Sequence, residues 1–306
     1  MIESTSFPLL GGDRVISGVY VPLLTAFAAN GGVDAGASAG HARWLVEAGV
    51  DGLVPFGTSG EGPSLSLREK RAVLDALVAA LPGVPVLPAI TDASLDGALQ
   101  LVEAINDLPA AGVLLLPPHY YRPASDDGLG RFAERVLSAS RHPVLLYHIP
   151  GLAPGVPVRA VAELPVWGVK DSGGELSYTR AVLAAGKQVM VGAEHTIVDA
   201  IGAGALGAIP ALANVLPEHL LAACAAARDG NAAAANDIVA QALRFRSSML
   251  AVTGPLQWIS ALKVLAERRH GLSLGGVRAP LPSAPAAVAG LEQALRDVVA
   301  GLAAVN

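Results

Sequence analysis

Apolar runs of strand length recur along the chain, and each is followed by a longer stretch whose apolar positions return every three or four residues. The runs are Val19–Thr25, Gly52–Phe56, Val84–Ile90, Gly112–Pro117, Pro143–Ile149, Trp167–Lys170, Gln188–Val191 and Ala205–Leu212. Their apolar character is continuous rather than alternating, as expected of strands buried on both faces. The stretches between them predict helices over Gly36–Ala48, Leu67–Ala80, Ser94–Leu108, Gly128–Ser140, Val158–Glu163, Ser177–Gly186 and His195–Gly202. Ser66, with Glu69 three residues later, marks the start of the second of these as a capping box. From Pro217 onward the strands cease. Pro217–Arg228, Ala232–Thr253, Pro255–Arg269 and Ala286–Ala303 all read as helices. Strand–helix alternation of this kind fits a (β/α)8 TIM barrel over residues 1–214, with a C-terminal helical appendage over 215–306. The periodicity alone fits a doubly wound eight-stranded sheet equally well.

Composition narrows the functional classes. The chain has 306 residues, 52% hydrophobic and 15% charged, enough to bury a sizeable core without disorder. A net charge of −5 with no run of Lys or Arg argues against a nucleic-acid partner. The single cysteine, Cys224, excludes an internal disulfide framework and a cysteine-rich metal site, and its alanine-rich surroundings predict a buried helix position. Residues 1–18 lack the plan of a signal peptide. The uncharged runs Val15–Val33 and Ala200–Pro217 are broken by Gly, Pro and Asn, so they read as barrel interior rather than membrane spans. A cytoplasmic location follows as the expectation.

In a barrel the reactive groups gather where the strands end. The most informative stretch is Pro165–Gly174, a buried strand that ends in Lys170-Asp171-Ser172-Gly173-Gly174. The chain has only four lysines, Lys70, Lys170, Lys187 and Lys263. An amine at a buried strand end is partly desolvated, which favours its neutral, nucleophilic form and makes a Schiff base with a carbonyl substrate possible. The alternative is a strand-end lysine that merely reaches solvent. Strand 2 ends in Gly57-Thr58-Ser59-Gly60-Glu61-Gly62. Its glycines allow close backbone approach, and Thr58 and Ser59 could hold a carboxylate; a tight turn with locally bonded hydroxyls is the structural alternative. Strand 5 ends in Tyr147-His148-Ile149-Pro150, where Tyr147 could carry a proton or could be a satisfied core tyrosine. His148 points to the opposite side of that strand. Tyr120-Tyr121-Arg122 follows strand 4, and Gly192-Ala193-Glu194 follows strand 7.

Two other signals fail on context. Gly202-Ala203-Gly204-Ala205-Leu206-Gly207 spells a dinucleotide fingerprint, but it precedes a strand instead of following one. The seven histidines are dispersed and Glu194-His195 stands alone, so no metal centre is expected.

Taken together these motifs resemble the dihydrodipicolinate synthase and N-acetylneuraminate lyase family, from about Gly18 to Leu281. Gly57-Thr58-Ser59-Gly60-Glu61 resembles its glycine–hydroxyl–hydroxyl–glycine–glutamate motif, Tyr147-His148-Ile149-Pro150 its Tyr-x-x-Pro motif, and Gly168-Val169-Lys170-Asp171 its Schiff-base lysine motif. Gly204–Asn214 is similar to the strand-8 stretch that ends in Ala-Asn. The resemblance implies the barrel rather than the doubly wound sheet. It also implies an enzyme in which Lys170 forms an imine with pyruvate or a related 2-oxo acid, Tyr147 is the general acid/base and Thr58 hydrogen-bonds Tyr147. Ser59 would bind the carboxylate, Gly192 and Ile209 would line the pocket, and Tyr120 would act as a relay tyrosine supplied by a neighbouring subunit of a homo-oligomer, a tetramer or dimer. No cofactor is implied, since the lysine supplies the electron sink.

Substrate choice is where the pattern departs. Dihydrodipicolinate synthases carry an arginine shortly after the Tyr-x-x-Pro turn; here that position is Leu152, and the segment between Tyr147 and Lys170 is several residues shorter than in most members. The stretches around Tyr120, Lys170 and Ala211–Val215 look closest to 4-hydroxy-2-oxoglutarate and 2-keto-3-deoxy sugar acid aldolases. By that resemblance Ser172 would touch the distal part of the substrate; Arg122 could meet a second carboxylate or be a surface arginine. A dihydrodipicolinate synthase, a sugar-acid dehydratase on the same imine and a non-catalytic 2-oxo acid sensor remain the alternatives.

Overall fold

Proline and capping side chains decide where the elements stop. The computed structural model describes residues 16–254 and 257–303. The eight strands are β1 Gly18–Val21, β2 Gly52–Leu53, β3 Ala89–Ile90, β4 Val113–Leu115, β5 Val144–His148, β6 Gly168–Asp171, β7 Gln188–Val191 and β8 Gly207–Ala208. Several are shorter than the apolar runs that announced them. Pro22, Pro55 and Pro210 follow β1, β2 and β8 within a residue or two, and Pro85 and Pro88 interrupt the run before β3. A proline has no N–H to give to a ladder, so the apolar run continues as a packed loop instead.

The strands are parallel, in the order β2-β1-β8-β7-β6-β5-β4-β3. The two ends of that order meet at a parallel bridge between Leu53 and Val86. There Leu53 N donates to Pro85 O, Leu87 N to Leu53 O and Ala89 N to Pro55 O, at 3.0, 2.8 and 2.9 Å. The sheet therefore curls round on itself as a (β/α)8 barrel, not the open doubly wound sheet that the periodicity alone also allowed.

The helices that follow the strands are α1 Ala35–Glu47, α2 Leu67–Ala80, α3 Leu95–Asn106, α4 Asp126–Ala139, α5 Val158–Glu163, α6 Leu176–Ala184, α7 Ile197–Gly202 and α8 Pro217–Arg228. The capping box at Ser66 and Glu69 is present. α4 starts two residues before the expected Gly128, because Ser125 caps the free Gly128 N–H and Asp126 and Asp127 favour the first turn. The C-terminal helices are α9 Ala232–Val252, α10 Trp258–His270 and α11 Glu292–Ala303, the last preceded by a 3-10 turn over Ala286–Leu291. The start expected for α10 at Pro255 lies outside the described residues. Among those residues no helix is long and apolar enough to cross a membrane. The fingerprint-like Gly202–Gly207 is the turn from α7 into β8, with Gly204 in the left-handed region.

Strand alternation sorts the core in two. Val19, Val21, Leu53, Ile90, Leu115, Leu146, Val169 and Val189 face outward and share one core with the helices, including α9 and α10. Tyr20, Val54, Leu87, Leu114, Leu145, Tyr147, Met190 and Ile209 fill the barrel interior. Glycines make room for the bulky members: a Cβ on Gly52 would stand 2.3 Å from the Tyr20 ring.

Candidate active site

The inward-facing positions at the C-terminal strand ends converge. In the β5–β6 register Tyr147 lies beside Lys170, and in the β6–β7 register Lys170 lies beside Met190. The Lys170 amine sits 4.3 Å from the centre of the Tyr147 ring, and both side chains are buried. The Tyr147 hydroxyl lies 3.4 Å from Thr58 Oγ1. Burial pushes the Tyr147 phenol up, but the charge of Lys170 and hydrogen bonds with Thr58, Lys170 and Ser172 together outweigh it. The net result is a phenol more acidic than an ordinary tyrosine.

The four lysines differ in their partners. Lys263 is paired with Glu61 at 2.6 Å and Lys70 with Asp92 at 2.7 Å. Lys187 donates to the carbonyls of Leu164 and Val166. Among the described residues Lys170 is the lysine whose amine meets no carboxylate and no backbone carbonyl. It meets a phenol instead.

The turn after β2 presents Thr58 and Ser59. Phe56 and Glu61 both hold positive φ, 66° and 54°. Such a conformation costs a side-chain-bearing residue about 1–2 kcal/mol. Gly60 and Gly62 cannot be replaced: a Cβ on Gly62 would stand 1.8 Å from Phe56 O, and one on Gly60 2.7 Å from Leu23 O. Glu61 holds the turn against the C-terminal helices. Its carboxylate pairs with Lys263 of α10 and accepts the Arg278 N–H at 2.9 Å, while the Lys263 amine also donates to Gly276 O and sits over the Phe27 ring. Both partners are buried. Removing one member of such a pair strands the other charge, so Lys263→Met should destabilise the fold by roughly 3–5 kcal/mol, read as a lowered urea midpoint at unchanged slope. A variant within about 0.5 kcal/mol of the parent protein would show that the pair is no brace.

Other neighbours shape the floor and rim. Asp171 accepts the Gly173 N–H at 2.9 Å and the Thr179 hydroxyl at 2.7 Å, which fixes the turn that carries Ser172. Gly192 leaves room for the two site side chains: a Cβ there would stand 2.0 Å from Ser172 Oγ and 3.2 Å from Lys170 Cε, so both would have to shift. His148 turns outward, stacks on Tyr178 with ring centres 3.8 Å apart, and accepts the Val156 N–H at 3.0 Å. Asn214 donates to Pro22 O and Ala211 O, so its own oxygen accepts from His41 Nε2 at 3.0 Å. Burial pushes His41 down to about 3, so it is neutral, and its Nδ1 must accept from His270 Nε2 at 3.1 Å. Pro22 and Ala211 line the cavity, so this chain of bonds sets part of its floor.

The resulting cavity is about 290 Å³ and is bordered by Thr58, Ser59, Tyr147, Lys170, Ser172, Gly192 and Ile209. These seven were singled out in the sequence. Tyr120 and Arg122 are not brought to it; Tyr120 is 80% exposed, Arg122 is also exposed, and neither borders the cavity within one copy of the chain. Leu152, in place of the arginine, stands half-exposed at the mouth. Sequence reasoning missed the part of the wall made by Arg246, Met249 and Leu250 of α9 and by Trp258 and Leu262 of α10. The spacing of Arg246, Met249 and Leu250 puts them on one helix face, but no sequence signal says that this face meets the barrel mouth. Among the described residues no three His, Cys, Asp or Glu side chains cluster as metal ligands would.

Comparison with known proteins identifies the family. The profile of the Dihydrodipicolinate synthetase family matches residues 15–290. A 4-hydroxy-tetrahydrodipicolinate synthase from Saccharophagus degradans is 30% identical over 294 residues, covering 92% of this chain and 98% of its own. The wild-type sialic acid aldolase of Ruminococcus gnavus superposes with a TM-score of 0.88 at 20% identity, over 93% of this chain and 97% of its own. A variant of the Sulfolobus solfataricus 2-keto-3-deoxygluconate aldolase superposes with a TM-score of 0.83 at 24% identity, over 94% and 96%. At those identities the two aldolases speak to the fold, while the profile spans nearly the whole chain. The protein belongs to the dihydrodipicolinate synthetase family and is a lyase of that family's Schiff-base-forming kind.

Proposed function

We propose that the protein is a pyruvate-dependent aldolase that makes or breaks a carbon–carbon bond next to a 2-oxo acid held on Lys170. The observation that carries this reading is the Lys170 amine, buried without a carboxylate or carbonyl partner among the described residues and set 4.3 Å from the Tyr147 ring. The amine attacks the keto carbon, water leaves, and an imine forms. Loss of a C3 proton gives an enamine, which bonds to the aldehyde carbon of the second substrate. The aldehyde oxygen takes a proton from the Tyr147 hydroxyl, and water then releases the product and restores the amine. Cleavage runs the same steps in reverse. Thr58 holds the phenol in place, Ser59 receives the carboxylate of the 2-oxo acid, and Gly192 and Ile209 leave space around the imine. In an oligomer Tyr120, exposed on the loop after β4, would reach the site of a neighbouring copy.

The preferred substrates are 4-hydroxy-2-oxo acids, of the 4-hydroxy-2-oxoglutarate or 2-keto-3-deoxy acid type. Leu152 supports this, because it offers no charge where a synthase would receive its substrate carboxylate. The second reading is a 4-hydroxy-tetrahydrodipicolinate synthase, favoured by the name of the relative at 30% identity. Turnover of aspartate semialdehyde with pyruvate in a coupled assay distinguishes the two. The imine itself is tested by incubation with pyruvate and borohydride, then intact mass and peptide mapping. A reduced pyruvyl adduct on the Lys170 peptide is expected; a folded protein without one would overturn the reading.

A further inference from the structure

The cavity has a second polar end that the imine chemistry leaves unused. Arg246, on the α9 face that carries Met249 and Leu250, borders the cavity close to the turn that follows β7. Its guanidinium makes no hydrogen bond to a described residue. Its ionic neighbour is Glu194 Oε2 at 3.9 Å, beyond hydrogen-bond reach. Two other arginines of the C-terminal part are fully engaged: Arg269 binds Val215 O and Glu218, and Arg278 binds Gly31 O, Ser64 O and Glu69. Glu194 is buried and held, since its Oε1 accepts the Leu212 N–H at 3.2 Å. The arrangement therefore offers an uncommitted fork of donors beside a fixed acceptor, at the cavity rim.

We infer that Arg246 is a specificity-determining residue that binds a second carboxylate, at the end of the substrate remote from the imine, with Glu194 accepting a neighbouring hydroxyl. The substrate class is then a 4-hydroxy-2-oxo dicarboxylic acid rather than an uncharged sugar-acid chain. An arginine fork matches a carboxylate in two parallel hydrogen bonds, and such charge-assisted bonds are the strong ones. The remaining rim supports the assignment. Leu152 is apolar and Arg122 does not border the cavity, and in the aldolase reading the Lys170 end takes the first carboxylate and the keto group. This inference rests on the aldolase reading above and deepens it.

The test is condensation of pyruvate with two carboxylated acceptors, glyoxylate and succinic semialdehyde, and two uncharged ones, glycolaldehyde and glyceraldehyde. Each is run with the parent protein, Arg246→Gln and Arg246→Lys. The parent protein should prefer at least one carboxylated acceptor. Arg246→Gln should lower kcat/KM for that acceptor by about 10–100-fold, mostly through KM, and change the uncharged acceptors by less than about threefold. Arg246→Lys should recover part of the loss, because it keeps the charge but not the fork. Pyruvate trapping on Lys170 should be unchanged in both variants. Equal losses for charged and uncharged acceptors, or a parent protein that prefers uncharged ones, would overturn the assignment while the Lys170 adduct leaves the aldolase reading standing. No adduct in the parent protein would bring down both.

Discussion

Lys170→Ala should take up no pyruvate on borohydride reduction, and its turnover should fall to background. The expected loss is about 10⁶-fold, the scale seen when a covalent nucleophile is deleted from an otherwise preorganised site. Two features make the effect specific to this lysine. Lys263 and Lys70 are also buried, but each amine is tied to a carboxylate and serves the fold. Lys170 lies against the Tyr147 ring with no such tie among the described residues, so its removal strands no buried carboxylate there. The variant should therefore melt close to the parent protein, which separates loss of chemistry from loss of structure. The same experiment on Lys263→Met should give the reverse pattern, a less stable protein that still traps pyruvate on Lys170. Full activity in Lys170→Ala would remove the imine from the mechanism altogether.

Tyr147→Phe should reduce turnover by about 10²–10⁴-fold, the usual contribution of a positioned general acid or base. The substitution deletes one oxygen and leaves the ring that packs beneath the amine, so the cavity keeps its shape. What is lost is a hydroxyl made more acidic than usual by the charge of Lys170 and by its hydrogen-bond neighbours, despite its burial. Proton delivery to the keto oxygen during imine formation and to the new alkoxide during bond formation both depend on it. The imine should still form, slowly, because the amine itself is intact. Rapid-quench trapping with borohydride follows imine formation, and steady-state rates follow the whole cycle. Unchanged values in both would exclude Tyr147 from proton transfer. Imine formation at the normal rate with slow turnover would confine it to the bond-forming step.

The sequence by itself determined the alternation that builds the barrel. A residue's tendency to bury and a segment's period are local properties, so α2, α5, β7 and α8 have the boundaries their patterns announced. It also pointed to Thr58, Ser59, Tyr147, Lys170 and Ser172 as strand-end residues that border one cavity, because in a barrel every strand end points to the same face. Tertiary structure decided what depends on contact between distant segments. Which lysine is free of a counter-charge follows from Glu61 meeting Lys263 and Asp92 meeting Lys70, across 202 and 22 residues of chain, and nothing local specifies either pairing. Arg246 shows the same limit. In sequence it is one polar position in a long helix, and it becomes a wall of the cavity because the buried side of α9, with Ile238, Ala242, Phe245 and Met249, docks onto the shared core. Burial fixes the angle at which that helix sits. The angle, set by packing over the whole interface, decides which of its polar side chains faces the site.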